Sequence, residues 1–155
     1  MKKRLPSPYG DERSKKKYWL TPPHIFSALD REFRFDFDPC PCPRPRGYDS
    51  LHIEWGQSNY VNPPFRADEG YKGGGPSAFV HKAIAEAKKG KTSVLILPVN
   101  NYVDLLLRAG AKVRYTGRIR WLDAKTKQAM PGPGATALFI LKGKKPVNPN
   151  RQGRH

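Results

Sequence analysis

Asn62-Pro63-Pro64-Phe65, which follows the strand-like pair Tyr60-Val61, is the group of residues in this chain best suited to chemistry. The Asn62 side-chain oxygen accepts hydrogen bonds, and the Pro63 carbonyl is a second acceptor. Two prolines in series fix φ and contribute no N–H, so acceptors dominate and the backbone is stiff. Such a pair suits a planar amino nitrogen, whose delocalised lone pair makes it a poor nucleophile. Gripped by its two hydrogens, the nitrogen is pushed from sp² towards sp³ geometry. Its lone pair then points out of plane, in line for attack on a methyl sulfonium. Phe65 supplies a flat face on which a heteroaromatic substrate can stack. The same tetrad also reads as a proline-rich turn that ends a strand.

The elements around the tetrad follow from periodicity and from helix and turn signals. Thr21 is the expected N-cap and Pro22 the first residue of a helix to about Phe33, with Ile25, Phe26, Leu29 and Phe33 on its apolar face. Residues 34–38 alternate as a strand, and the proline-rich run from Pro39 to Pro45 forbids regular structure after Asp38. Residues 49–59 are ambiguous, and 66–76, with three consecutive glycines, read as a mobile loop. Ser77 is the expected cap of a helix to about Lys89 that Gly90 stops; Asn101 is the expected cap of another, with Val103, Leu106 and Leu107 facing in and Gly110 at its end. Residues 94–98 read as a buried strand, and 113–115, 119–122 and 136–141 are further strand candidates.

This alternation predicts an α/β sheet with helices on both faces, closed by an antiparallel hairpin of the last strands. Ligands of such sheets sit beyond the carboxyl ends of the strands. Asp38 and the tetrad both follow strands, so both belong on one rim. Gly90-Lys91-Thr92 imitates the tail of a phosphate-binding loop, but position 85 is Ala85 and the segment follows a helix instead of opening one.

Composition bounds the partners. The 155 residues suffice for one core, and 29 Lys and Arg against 13 Asp and Glu give a formal charge of +16. That excess points to a polyanion, nucleic acid before an acidic membrane surface. No apolar run approaches the ~20 residues of a membrane span, and the basic N-terminus lacks the apolar segment of a signal peptide. Cys40 and Cys42 are too close for a bridge across the fold, and with the scattered histidines they match no common metal spacing, so a reduced cytoplasmic protein without a metal is expected. Residues 1–17 and 142–155 read as flexible basic tails around a domain at 18–141.

From Tyr18 to Leu141 the chain resembles the phage-type (Dam-like) DNA N6-adenine methyltransferases. The resemblance is carried by Trp19-Leu20-Thr21-Pro22, Phe35-Asp36-Phe37-Asp38-Pro39-Cys40, Asp49-Ser50-Leu51 ahead of Trp55, Asn62-Pro63-Pro64-Phe65, Leu95-Ile96-Leu97-Pro98 and Gly117-Arg118-Ile119, in that order. It implies a compact class I S-adenosylmethionine-dependent (Rossmann-like) fold that methylates adenine N6 in double-stranded DNA, in the cytoplasm of a bacterial host if phage-encoded. Thr21 and Pro22 match the segment against the methionine end of S-adenosylmethionine, Asp38 and Pro39 the cofactor loop, and Asp49 an acid near the adenosine. Asn62, Pro63, Pro64 and Phe65 match the catalytic tetrad. Arg66, Lys72, Arg118 and Arg120 are the expected DNA contacts, while Trp121 suits either DNA or the core.

The family's glycine-rich turn is absent, and Cys40-Pro41-Cys42-Pro43 stands in its place. There is no room for a separate recognition domain, so sequence reading falls to residues 41–47, 66–76, 123–134 and the tails. Two alternatives stay open at this point. One is methylation of another planar nitrogen, guanine N2 in RNA or a glutamine side chain. The other is a degenerate basic module that only binds nucleic acid.

Overall fold

The computed structural model describes residues 19–42, 44–64, 74–99, 102–130, 132 and 134–144. Its elements in chain order are β1 (Trp19–Leu20), α1 (Pro23–Phe33), β2 (Ser58–Val61), α2 (Pro76–Lys88), β3 (Thr92–Pro98), α3 (Tyr102–Arg108), β4 (Lys112–Tyr115), β5 (Leu122–Asp123) and β6 (Thr136–Leu141). A single 3-10 turn, Ser50–His52, lies between α1 and β2. No described helix is long and apolar enough to cross a membrane.

The main sheet has the order β2-β3-β6-β4. β2 and β3 run parallel, joined by the crossover through α2, whereas β6 is antiparallel to both β3 and β4. Side chains alternate strictly between the two faces. Tyr60, Val94, Ile96, Leu138 and Ile140 pack with Leu29 of α1 on one face. Val61, Leu95, Leu97, Phe139 and Leu141 pack with Phe79, Val80 and Ala83 of α2 and Leu106 of α3 on the other. Helices on both faces, as the alternation of elements predicts, therefore sandwich one mixed sheet.

Several boundaries differ from the sequence expectation. Pro22 is the N-cap of α1 and Pro23 its first residue, because the N-terminal position takes the second proline and no side chain caps the helix. In α2, Gly75 is the N-cap and Pro76 takes the first position, in place of a Ser77 cap. In α3 Leu107 is 49% exposed, because only one flank of the Leu106 stripe meets the sheet, and Leu105 packs there instead. The Asn101 cap lies outside the described residues. Gly90, at φ +91°, follows the end of α2 as expected and accommodates a left-handed backbone without a Cβ clash.

The strand at residues 34–38 contracts to one parallel bridge, Phe37 to Asn59. The reason is local: Asp36 uses its side chain where a ladder would use backbone. Its Oδ1 accepts from Ser58 N at 2.9 Å and its Oδ2 from Gln57 N at 3.2 Å, while Asp36 N donates to Ser58 O at 2.9 Å. A Cβ at Gly56 would lie 2.3 Å from Asp36 Oδ1, so this approach requires glycine there.

The expected closing hairpin is also different. β4 and β6 are neighbours and antiparallel, but the described residues between Tyr115 and Thr136 leave the main sheet. Of the strand expected at 119–122, only Leu122 is extended into a ladder: β5 pairs antiparallel with β1, Trp19 opposite Asp123 and Leu20 opposite Leu122. Trp121, 1% exposed, is a core residue that roots this excursion.

Candidate active site at the carboxyl rim

Topology brings the sequence-predicted residues to one end of the sheet. Asn62 follows β2, which is parallel to β3 and bridged in parallel by Phe37, so Asp38 and Asn62 leave the sheet on the same side. Thr116 follows β4 and Thr136 opens β6 at that rim, where Pro98 is opposite Thr136 and Tyr115 opposite Ala137. The 116–135 excursion therefore rises beside the same end.

Asn62 is half-buried and Pro63 buried. The Asn62 amide donates from Nδ2 to the Trp19 carbonyl at 2.9 Å. A carbonyl partner accepts only from the nitrogen end of the amide, so this bond fixes which way Asn62 faces and leaves Oδ1 as an acceptor. Among the described residues Oδ1 has no hydrogen-bond donor. Trp19 is itself held by the pairing of β1 with β5. Phe65 lies outside the described residues, as do Arg66 and Lys72.

The neighbouring face of β2 carries Tyr60, two residues before Asn62 and 4% exposed. Its hydroxyl hydrogen-bonds to the Thr21 hydroxyl, so Thr21 serves this contact and does not cap α1. Pro22 is buried beside it. Burial, and then the nearby Asp38 charge, push the Tyr60 hydroxyl up, against the Thr21 hydrogen bond that lowers it. Tyr48 is pushed up in the same way, by desolvation first and by Asp38 next. The Asp38 charge thus reaches both tyrosine hydroxyls, while its direct partner is the Cys40 N–H.

Desolvation raises the Asp38 carboxyl to about 6, against the Cys40 N–H, which donates to its Oδ1 at 2.8 Å. Pro41 and Pro43 have no N–H to offer, so this turn presents few donors and already uses one on its own carboxylate. Buried Pro39 accepts at its carbonyl from Ser50 Oγ at 2.5 Å, and the Ser50 carbonyl in turn accepts from Trp55 Nε1 at 2.8 Å. Asp49 caps the 3-10 turn: its Oδ1 accepts from Leu51 N at 3.2 Å and its Oδ2 meets His52 Nδ1 at 2.7 Å. Arg118 and Arg120 are exposed on the excursion.

Asp38, Thr21, Pro22, Pro39 and Asn62 are therefore drawn to one region, with Asp49 one turn away on the segment that braces Pro39. Sequence reasoning missed Tyr60, Tyr48 and the Trp19 carbonyl. Tyr60 had a legible signal, since the two-residue period of β2 puts it on the face of Asn62. The Trp19 carbonyl had none, because it depends on a pairing between segments about a hundred residues apart. Among the described residues no group of three His, Cys, Asp or Glu is placed to hold a metal ion.

An ionisable acid with its charge only partly compensated, on the same rim as an oriented amide oxygen, can bind a cationic or hydroxyl-bearing group at one end of a site and an amino group at the other. No curated protein and no solved structure matched the chain. The family model of the DNA N-6-adenine-methyltransferase (Dam) family matches residues 11–149, most of the sequence, and the chain belongs to that family.

Proposed function

We propose that this protein transfers a methyl group from S-adenosylmethionine to the N6 amine of an adenine flipped out of double-stranded DNA. The family is one of DNA adenine-N6 methyltransferases. The observation that carries the finer reading is the Asn62 amide, fixed by the Trp19 carbonyl so that its oxygen is left to accept. The parallel order Phe37, β2, β3, followed by antiparallel β6, supports a class I (Rossmann-like) arrangement with its ligands at the carboxyl ends.

The residues present fit the cofactor. Asp38 keeps a carboxylate with one backbone donor in a half-buried setting, and such a group gains from a cationic or hydroxyl-bearing partner. Asp38 and Pro39 would hold the cofactor beside Thr21 and Pro22, with Asp49 near its adenosine end. S-adenosylmethionine, when bound, supplies the electrophilic methyl group.

The chain's own residues do the rest. Exposed cations anchor phosphates without discriminating sequence. Flipping the adenine costs a few kcal/mol. Asn62 Oδ1 and the Pro63 carbonyl accept the two amino hydrogens, which localises the nitrogen lone pair, while Phe65 stacks on the ring. The nitrogen sheds its proton after the methyl arrives, so no strong base is needed. Positioning and exclusion of water then supply most of the acceleration.

The test is to incubate the protein with unmethylated duplex DNA and methyl-labelled S-adenosylmethionine, digest to nucleosides and identify the labelled base. Labelled N6-methyladenine is the expected product. Label confined to RNA or to protein glutamine would overturn the assignment.

A further inference from the structure

The excursion between β4 and β6 ends in a small basic hairpin that the methyl-transfer chemistry does not use. β5 pairs with β1 on one side, and Leu122 bridges to the returning Ala129 on the other. Asp123 N donates to Gln128 O at 2.9 Å, Lys127 N to Asp123 O at 2.9 Å, and Met130 N to Trp121 O at 2.9 Å. The tip is tightened further by Asp123, whose Oδ1 accepts from Lys125 N at 2.8 Å and Thr126 N at 2.9 Å. Those bonds hold the Asp123 carboxyl below its ordinary range. At the root, Trp121 is buried against Gly132, where an added Cβ would come within 2.3 Å of the indole.

The charge of this hairpin is one-sided. Residues 116–135 carry Arg118, Arg120, Lys125 and Lys127, and Asp123 is their sole acid. All four cations are exposed, and none makes an ion pair among the described residues. Arg108 and Arg114, by contrast, are engaged by Asp104 and Glu32. Lys127 holds φ at +60°, a left-handed conformation that turns the chain at the tip.

We infer that the hairpin is a DNA-docking element, with Lys125 and Lys127 contacting backbone phosphates beside the target nucleotide. The inference rests on the functional reading above. Its location follows from connectivity: β5 is hydrogen-bonded to β1, and the Trp19 carbonyl of β1 holds Asn62. A duplex seated on the tip is thus two hydrogen-bonded steps from the amide that receives the base. The buried Trp121 root and the β1 pairing fix the tip relative to Asn62, so that contact can set the distance between phosphate and site.

The test is the double variant Lys125→Gln, Lys127→Asn. Asparagine tolerates the left-handed tip, and both positions are exposed, so the fold is retained. A charge-matched control, Lys88→Gln with Lys112→Gln, removes two exposed cations at the opposite rim. DNA binding is read by fluorescence anisotropy across a salt series, together with kcat and KM. The hairpin variant is expected to raise KM for DNA about tenfold and to lower the slope of log affinity against log salt by about two. Its kcat, its affinity for S-adenosylhomocysteine and its ranking of DNA sequences stay at wild-type values, and the control behaves as wild type. An unchanged slope and KM, or an equal loss in the control, would overturn the inference. Anisotropy needs no turnover, so a wild type that binds DNA without forming N6-methyladenine would reject the functional reading and leave the docking result interpretable.

Discussion

At the amino rim of the sheet Glu86 is fully buried, with Lys91 Nζ 2.7 Å from its Oε2 and Lys82 and Lys89 at 3.1 and 3.3 Å from its Oε1. At the carboxyl rim Asp38 is half-buried and accepts from one backbone N–H, that of Cys40, with no cation paired to it among the described residues. The contrast appears in their acidities. Burial alone would raise Glu86, yet hydrogen bonds from Lys91, Lys82 and Lys89 hold it down at about 2. Desolvation dominates at Asp38 and raises it to about 6. One rim neutralises its buried charge internally and builds structure; the other leaves charge and acceptors under-compensated and is where a ligand gains most.

The same division separates the two acids of Phe35-Asp36-Phe37-Asp38. Asp36 spends both oxygens on Gln57 and Ser58 and ties its segment to β2. Asp38, two residues on, has only the Cys40 N–H as a hydrogen-bond donor. Two aspartates thus differ because Asp36 lies against the backbone of Gln57 and Ser58, whereas Asp38 has passed the Phe37 bridge and meets only the Cys40 N–H.

The comparison can be broken at either end. The largest effect is expected from Asn62→Ala, which removes the oriented acceptor. Methyl transfer should fall on the order of a thousandfold in kcat, with DNA affinity near wild type by anisotropy; equal loss of both would remove Asn62 from the chemistry. Glu86→Gln is next, since it leaves buried Lys91 with only the exposed Glu54 carboxylate, 4.0 Å away, as counter-charge. Denaturant unfolding should show a loss of about 3 kcal/mol, with affinity for S-adenosylhomocysteine unchanged in the folded fraction. A weakened site would argue that the amino rim is not purely structural.

Asp38→Asn sharpens the contrast, because it should move stability and function in opposite directions. Calorimetric titration should show S-adenosylhomocysteine binding weakened by at least about tenfold, as expected for loss of a charge-assisted contact. Stability at neutral pH should meanwhile rise by about 1–2 kcal/mol, since a desolvated charge is removed. A loss of stability instead would make Asp38 a structural acid.

The pH dependence follows with opposite signs for the two carboxylates. Asp38 binds its proton more tightly when folded, so its contribution declines as pH rises from its ordinary 3.8 through about 6. Glu86 contributes above its ordinary 4.5, and that stability is lost as pH falls towards about 2. Affinity for S-adenosylhomocysteine should increase as pH rises through about 6 and be flat in Asp38→Asn. A flat profile in the wild type would exclude the Asp38 charge from cofactor binding.

Much of the frame was legible from residue pattern. The helices, the buried runs of β3 and β6 and the placement of Asp38 and Asn62 on one rim follow from periodicity and from the rule that parallel strands share a carboxyl end. Misplaced caps had a common cause, because a proline beside Thr21 or Ser77 outcompeted the hydroxyl for the helix start. The strand expected at 34–38 shrinks to one bridge because alternation does not reveal that Asp36 will replace ladder bonds with side-chain bonds.

The amino-acid sequence alone determined the acceptor-rich tetrad and the alternating α/β frame, which depend on residues close in the chain, and the basic charge, which depends on composition alone. Only the tertiary structure decided which way Asn62 faces, which acid is neutralised by cations and which is not, and that the hairpin carrying Lys125 and Lys127 is paired to β1. These depend on β1 meeting β5 and on the burial of Asp38 at the carboxyl rim. Contacts between distant segments set desolvation and hydrogen-bond direction, and local pattern carries neither.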